Sequence, residues 1–417
     1  MQHIVIITAV YPPEPVVSAR MACDLAASLV SQSFSVTVLC PQPSRPIGAN
    51  YDIYQGKTKP VVSYEEGVKV VRLPSFTSPA SRLISRLWES WSFGWHVSQY
   101  LASLAHQPNV MYVNAWPLLA QAFICQYACF HGIPFVLQIM DIYPESLVSK
   151  LPDIMQLFVT KPLLALDSWV SRSATKVVVI SDNMREAYTN NRRIPDDKIV
   201  TIPTWQDDSI FAELPERESV CRRYGIPSDL FTFLYLGNIG PVAGVDFLVR
   251  AFQETNIENA QLLIIGDGSA KASCVDLVKK LNAKNIHFIS DPDAANVPVL
   301  QSMAHVCMLP LKKGIGYSSI PSKLHAYLFS AKPIIATVDH DCDTARVIRQ
   351  ARCGWVGASE DLSWLTVKIK DIAEHPIGSL EQIGQCGKNY GLRHFSKTQG
   401  VKNLSDIIKK AILSNVE

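Results

Sequence analysis

Between Ala9 and Ala26, directly after the first apolar run, the sequence contains no glycine. A dinucleotide site there would need G-x-G-x-x-G, so that backbone can approach a pyrophosphate, and its absence argues against a nicotinamide or flavin site in this half. An excess of charge is also missing. Lys and Arg number 39 against 37 Asp and Glu, a formal net charge of +2 over 417 residues. Nucleic-acid binders usually show a marked basic excess or stripe, so no nucleic-acid partner is expected. No apolar run reaches the roughly 18 residues that a spanning helix needs. The opening MQHIVIITAVYPPE soon turns polar and lacks a basic leader and a small-residue cleavage site, which argues against a signal peptide. The ten cysteines are scattered, mostly in apolar contexts such as Cys40, Cys125 and Cys307, as reduced cytosolic core thiols would be. Cys125 and Cys129 share an expected helix face, but no ligand set completes a zinc site. The histidines show no shared ligand spacing, and no metal is expected.

What is present is an alternation. HIVIITAV (3–10), FSVTVLC (34–40), VKVVRL (68–73), NVMYVNA (109–115), PFVLQIM (134–140) and KVVVIS (176–181) read as buried strands with helix-period stretches between them. A second series follows: FTFLYLG from 231, AQLLIIGDG, NIHFIS, VCMLPL, KPIIAT and GWVG. Continuous apolar strands separated by helices indicate parallel sheets covered on both faces. The fold class expected is therefore α/β: two Rossmann-like, doubly wound domains, 1–205 and 206–389, with a cleft between them and a final amphipathic helix about 390–417. Ligands in such sheets sit beyond the carboxyl ends of the strands, so the loops there should carry the chemistry.

Four loops qualify. In 9–26, Ser18 and Arg20 stand at an expected helix start, where a phosphate would be favoured; a plain cap and a surface charge fit equally. In LYLGNIGPVAGVDF, Gly237, Gly240 and Gly244 permit close backbone approach or a tight turn. In IIGDGSA, Asp267 lies between Gly266 and Gly268. In GYSSIPSKLHAYLF, Ser318, Ser319, Ser322 and Lys323 surround a helix beginning near Pro321, with Lys312 and Lys313 just before it. Unpaired first-turn N–H groups, hydroxyls and a lysine at one place suit a diphosphate, and exceed what capping requires. Elsewhere MDIYPES, after a strand, offers Asp141 and Glu145 as carboxylates for a proton; either could instead serve its loop or cap a helix. SRLISRLWESWSFGWHVSQY places Trp88, Trp91 and Trp95 on one helix face with Arg82 and Arg86 one turn before. That pattern suits either a membrane interface with anionic headgroups or a domain core.

YPPE followed by an Ala-Arg helix, FVLQIMDIYPES, KVVVISDNM, TIPTWQDDSIF, LGNIG, IIGDG and IPSKLHAYLFSAKPIIAT occur in an order and spacing that resembles, end to end, the retaining glycosyltransferases of family four, with the GT-B fold. The likeness is greatest to the bacterial O-antigen, colanic acid and capsule subgroup, including the L-fucosamine transferase type. The resemblance implies a nucleotide diphosphate sugar, commonly UDP-linked, on the C-terminal domain and an acceptor mainly on the N-terminal one, without a catalytic metal or other cofactor. It implies that Ser318, Ser319, Ile320, Ser322, Lys323, Ser18 and Arg20 meet the diphosphate. Gly237, Asn238, Gly240, Gly266, Asp267, Gly268, Ser290 and Lys312 would meet the nucleotide and sugar. The usual Arg and Lys after the strand glycine are replaced by Asn238 and Ala243, the usual glutamate pair by Ser318 and Ala326, and the usual His before Asp141 by Met140. These departures shift the binding onto Ser319, Ser322 and Lys323.

The activity so implied is sugar transfer to a saccharide, polyprenyl-diphosphate-linked, at the inner face of the plasma membrane, with Arg82, Arg86, Trp88, Trp91 and Trp95 toward the lipid. Two other readings remain open from sequence: a sugar-nucleotide 2-epimerase of the same fold, and a non-catalytic sugar-nucleotide-binding or scaffold subunit.

Overall fold

The computed structural model describes residues 1–44, 51, 54, 58–78, 83–115, 118–148, 152–290, 296–317 and 320–413. The expected sites Ser318, Ser319 and Arg82 lie outside them. The chain divides into two compact units, Met1–Thr204 with Gly400–Glu417, and Trp205–Gln399.

The first unit is built on one eight-stranded sheet. Its strands are β1 (His3–Thr8), β2 (Ser35–Pro41), β3 (Val61–Glu65), β4 (Val68–Leu73), β5 (Val110–Asn114), β6 (Phe135–Ile139), β7 (Lys176–Val179) and β8 (Ile199–Thr201), in the order β3-β4-β2-β1-β5-β6-β7-β8. Every pairing is parallel except β3 with β4. The sequence pattern missed β3 and β8. β3 is an antiparallel edge strand with alternating half-buried and exposed residues, and β8 has three residues, so neither shows the continuous apolar run of an interior strand.

The second unit carries β9 (Phe231–Leu236), β10 (Ala260–Ile265), β11 (Ile286–Ile289), β12 (Val306–Pro310), β13 (Ile334–Val338) and β14 (Gly354–Ala358) in the order β11-β10-β9-β12-β13-β14, all parallel. Apolar clusters fill both of its faces, Leu234, Leu263 and Leu309 on one, Phe233, Leu262 and Met308 on the other. Strand side chains alternate between faces, so one apolar run feeds both layers.

Strand order reverses between β1 and β5 in the first sheet and between β9 and β12 in the second. At such a switch point, successive connections leave in opposite directions and open a crevice beyond the strand ends. The second crevice is widened further. β9 and β12 share only the Phe233–Val306 and Leu234–Cys307 pairings, then separate. The Tyr327 hydroxyl fills the gap, accepting from Leu236 N at 3.0 Å.

Candidate functional site

Beyond β9, residues 237–244 and the loop after β10 are laced together. Ile239 N donates to Asp267 O at 2.8 Å and Ala270 N to Ile239 O at 3.0 Å. A Cβ on Gly266 would fall 2.0 Å from the Gly237 carbonyl oxygen, and one on Gly268 2.4 Å from that of Ile239. Both residues have positive φ, 142° and 153°. These glycines serve contact between two loops. Asp267 accepts from Gly268 N at 2.7 Å, so part of its hydrogen-bonding capacity is taken up within its own turn.

Across the switch point begins the helix Ser322–Phe329, with Pro321 at its N-cap and no side chain capping it. Ser322 is exposed in the first turn, and Ile320 packs partly against the core. Lys323 points back toward β9. Its Nζ donates to Tyr235 Oη at 2.8 Å and lies 4.3 Å from that ring's centroid; its Cε would be 3.2 Å from a Cβ on Gly237. The Tyr235 hydroxyl in turn donates to the Asn238 carbonyl at 2.6 Å. Among the described residues no carboxylate pairs with Lys323. Burial lowers its ammonium to about 8. A half-buried cation with no carboxylate partner among the described residues, at a helix start and beside glycine backbone, has the features that suit an anion.

The loop before this helix is pinned from β13. Asp339 accepts from Gly314 N at 2.9 Å and from Gly316 N at 3.1 Å, a role sequence reasoning did not assign. Lys312 lines a flanking groove of about 370 Å³ with Gly240, Asp246, Arg250 and Lys280. At the end of β11, the Ser290 hydroxyl accepts from Lys271 Nζ at 2.5 Å, which adds a cation the sequence did not single out. His325, on the same helix, is 2% exposed and stacked on Phe395 at 4.4 Å. Burial holds it neutral, lowered to about 4.

The first unit has its own cavity, about 300 Å³, at the β1/β5 switch point. Ala9 and Val10 after β1, Asn114 at the end of β5 with Ala115 after it, and Met140 and Asp141 after β6 line it, with Ser18, Gln138, Asp167 and Tyr188. Ser18 is not a cap: it lies inside the helix Val17–Ser31, whose N-cap is Val16. Arg20 is exposed and is not among the lining residues.

Asp141 and Glu145 part company here. Arg192, wholly buried at the end of the helix Asp182–Arg192, gives Nη1 and Nη2 to the two Glu145 oxygens at 2.6 Å each. Its Nε donates to Asp167 Oδ2 at 2.7 Å, its Nη2 also to the Tyr143 carbonyl, and its guanidinium lies over the Tyr188 ring. Burial alone would raise the Glu145 carboxyl, but the Arg192 bonds outweigh it and hold it below its usual range. A carboxylate tied at both oxygens is a poor proton acceptor. The sequence offered Asp141 and Glu145 alike as bases; in the structure Glu145 is tied to Arg192 at both oxygens and anchors the loop that carries Asp141. Asp167 is the opposite case. Burial pushes it up to about 6 despite Arg192. The Arg192–Asp167–Glu145 cluster joins residues far apart in sequence and has no linear signature.

Trp88, Trp91 and Trp95 lie on the helix Leu83–Ala102 and are 55%, 41% and 45% exposed, so they are not core. Trp91 and Trp95 stack with ring centroids 6.3 Å apart, and Trp95 meets Phe123 of the helix Leu119–His131 edge-on. Gly94 lets the two helices approach, since a Cβ there would be 2.8 Å from Ala120 Cα. Arg86 pairs with the buried Glu89 at 2.9 Å. The third helix of this face, Asp153–Ser173, presents Met155, Phe158 and Trp169, each more than 40% exposed and spaced to share one side.

Residues 18–205 match the glycosyl transferase 4-like domain, and residues 216–390 match the glycosyl transferases group 1 domain. The chain is a glycosyltransferase of the GT-B fold, built from these two domains in that order. A Pseudomonas aeruginosa protein named as a glycosyltransferase, WbjE, is 26% identical over 79% of this chain and 82% of its own. An Escherichia coli protein named as a colanic acid biosynthesis glycosyl transferase, WcaI, is 21% identical over 75% and 78%. Among solved structures, Anabaena Alr3699/HepE in complex with UDP-glucose superposes with a TM-score of 0.67 at 12% identity, covering 98% of this chain and all of that one.

Proposed function

We propose that this chain moves a sugar, with retention, from a UDP-linked donor on the second unit to a saccharide hydroxyl held in the first-unit cavity. Lys323 carries the proposal: a desolvated ammonium at a switch point, with no carboxylate partner among the described residues, suits an anion. In the transfer, the bond from the anomeric carbon to the diphosphate oxygen breaks and a bond to the acceptor oxygen forms. Lys323 and the first-turn amides stabilise the departing charge where it develops. Asp141 orients the acceptor hydroxyl and receives its proton. No cofactor enters this scheme. The UDP-glucose complex of HepE supports the choice of nucleotide, and the name of WcaI supports bacterial surface polysaccharide as the product class. The L-fucosamine transferase likeness of the sequence makes a deoxy-amino hexose the donor sugar to try first.

The acceptor in this reading is lipid-linked, and the enzyme works at the inner face of the plasma membrane. No helix among the described residues is long and apolar enough to cross a membrane. The three-helix aromatic face offers peripheral attachment instead. On its helices Glu89 and Asp167 are buried, while Lys161 and Arg172 are exposed, which suits anionic headgroups.

A panel of UDP-, GDP- and dTDP-sugars tested for thermal stabilisation checks the donor, and UDP release with and without a lipid-linked saccharide checks the transfer. Stabilisation by a UDP-sugar that Lys323→Ala abolishes is the expected result. An unchanged response in that variant would sink the site.

A further inference from the structure

We infer that Tyr235 is a positioning residue of the donor site: its hydroxyl aims the Lys323 ammonium and ties it to the 237–240 loop, so that lysine and glycine loop meet the ligand as one piece. This rests on the reading that Lys323 holds the donor's diphosphate, and names the group that prepares it to do so.

The place of Tyr235 follows from its strand. β9 is interior to its sheet, and successive side chains of a strand point to opposite faces. Phe233 and Tyr235 therefore share one apolar layer while Leu234 joins the other. Tyr235 is wholly buried, so its hydroxyl needs partners inside the protein. It has two. Oη donates to the Asn238 carbonyl at 2.6 Å and accepts from Lys323 Nζ at 2.8 Å. A carbonyl only accepts, so the single phenolic proton is committed to Asn238 and a lone pair is left for Lys323. Burial raises the ionisation of this phenol, so the proton stays in place around neutral pH. The ionisable groups that bear on Tyr235 are Tyr327 and Cys274, and burial raises both of these as well.

Lys323 arrives from the other side of the switch point. Its stem passes Gly237, where a Cβ would lie 3.2 Å from Cε and 3.5 Å from Nζ. The Tyr235 ring lies 4.3 Å from Nζ and closes the opposite side. An ammonium has three N–H donors, and Tyr235 takes one. Two remain for an anion. Burial works against the charge, whereas a hydrogen bond to the charged form favours it. Without Oη the lysine keeps its stem but loses both its direction and part of its hold on the proton.

The test uses the full-length chain, UDP as the probe, and titration calorimetry from pH 7 to 9. Tyr235→Phe keeps the ring and deletes the oxygen. UDP binding at pH 7 should weaken about ten-fold. The rise in Kd, centred near pH 8 in the wild type, should begin lower by about half a unit or more. A tyrosine that only packs the strand would weaken binding by the same factor at every pH. 3-Fluorotyrosine at position 235 keeps the shape and both hydrogen bonds but makes the oxygen a poorer acceptor. It should move the profile the same way by less, and it decides the matter if Tyr235→Phe does not fold. Wild-type affinity, or a loss that is parallel across the pH range, overturns the inference. Lys323→Ala is measured alongside. If it leaves UDP binding unchanged, the donor reading itself fails. If it abolishes binding while the position-235 variants leave the profile unmoved, only this inference fails.

Discussion

Lys323 Nζ lies 2.8 Å from Tyr235 Oη and 4.3 Å from the centre of the same ring, so an ammonium with no carboxylate partner among the described residues is held against an aromatic face at the end of a parallel strand. Its ionisation should therefore be visible in binding. Folding lowers it from 10.5 to about 8. Between those values the unfolded chain holds the extra proton, so this group makes the protein more stable as pH rises through that window. Anion affinity runs the other way, because binding needs the ammonium. Titration calorimetry with UDP from pH 7 to 9 should show the Kd rising above pH 8, approaching about ten-fold per unit. Lys323→Arg stays charged and should flatten that profile.

Arg192→Ala should be severely destabilising, by about 3–5 kcal/mol in urea denaturation, because it strands buried Asp167 without its partner. Glu145→Gln removes only the more exposed end of the cluster and should cost far less.

Turnover separates the two carboxylates of the 140–145 loop. Asp141→Asn should lower kcat by about 10²–10⁴ without a matching loss of UDP affinity. Glu145→Gln should stay within a few-fold of wild type in steady-state assays.

Gly266→Ala would set a Cβ 2.0 Å from the Gly237 carbonyl oxygen and strain the two laced loops. UDP binding should fall at least ten-fold, an order of magnitude equal to about 1.4 kcal/mol. The circular dichroism spectrum should stay unchanged, measured on the same sample.

Phe158→Asp with Trp91→Asp should abolish flotation with vesicles rich in phosphatidylglycerol while leaving the circular dichroism spectrum and UDP binding intact. Both side chains are exposed, at 76% and 41%, so neither change opens the core. Flotation equal to wild type would remove the membrane face from the proposal.

Much of the fold was legible because interior parallel strands write themselves as unbroken apolar runs. VKVVRL became β4 residue for residue, and FTFLYL became β9. Edge strand Val61–Glu65 escaped because half of it faces solvent. The helix opening at Ser322 was legible too, since Pro and Ser mark such starts locally. The tryptophan stripe was legible as a stripe but not as a surface. Periodicity shows which side chains share a face, and only the neighbouring helices decide whether that face is covered.

The sequence by itself determined the interior strands, the two sheets they form, and a helix start rich in serine with a lysine, because each of these is a local pattern of polarity and backbone preference. Tertiary structure alone decided that Lys323 would meet Tyr235, 88 positions away, and that Arg192 would claim Glu145, 47 positions away, leaving Asp141 and Asp167 to line the cavity. Side chains so distant along the chain meet only where strand order brings loop ends together. Burial then fixes their charges, because a group's hold on its proton depends on its surroundings after folding.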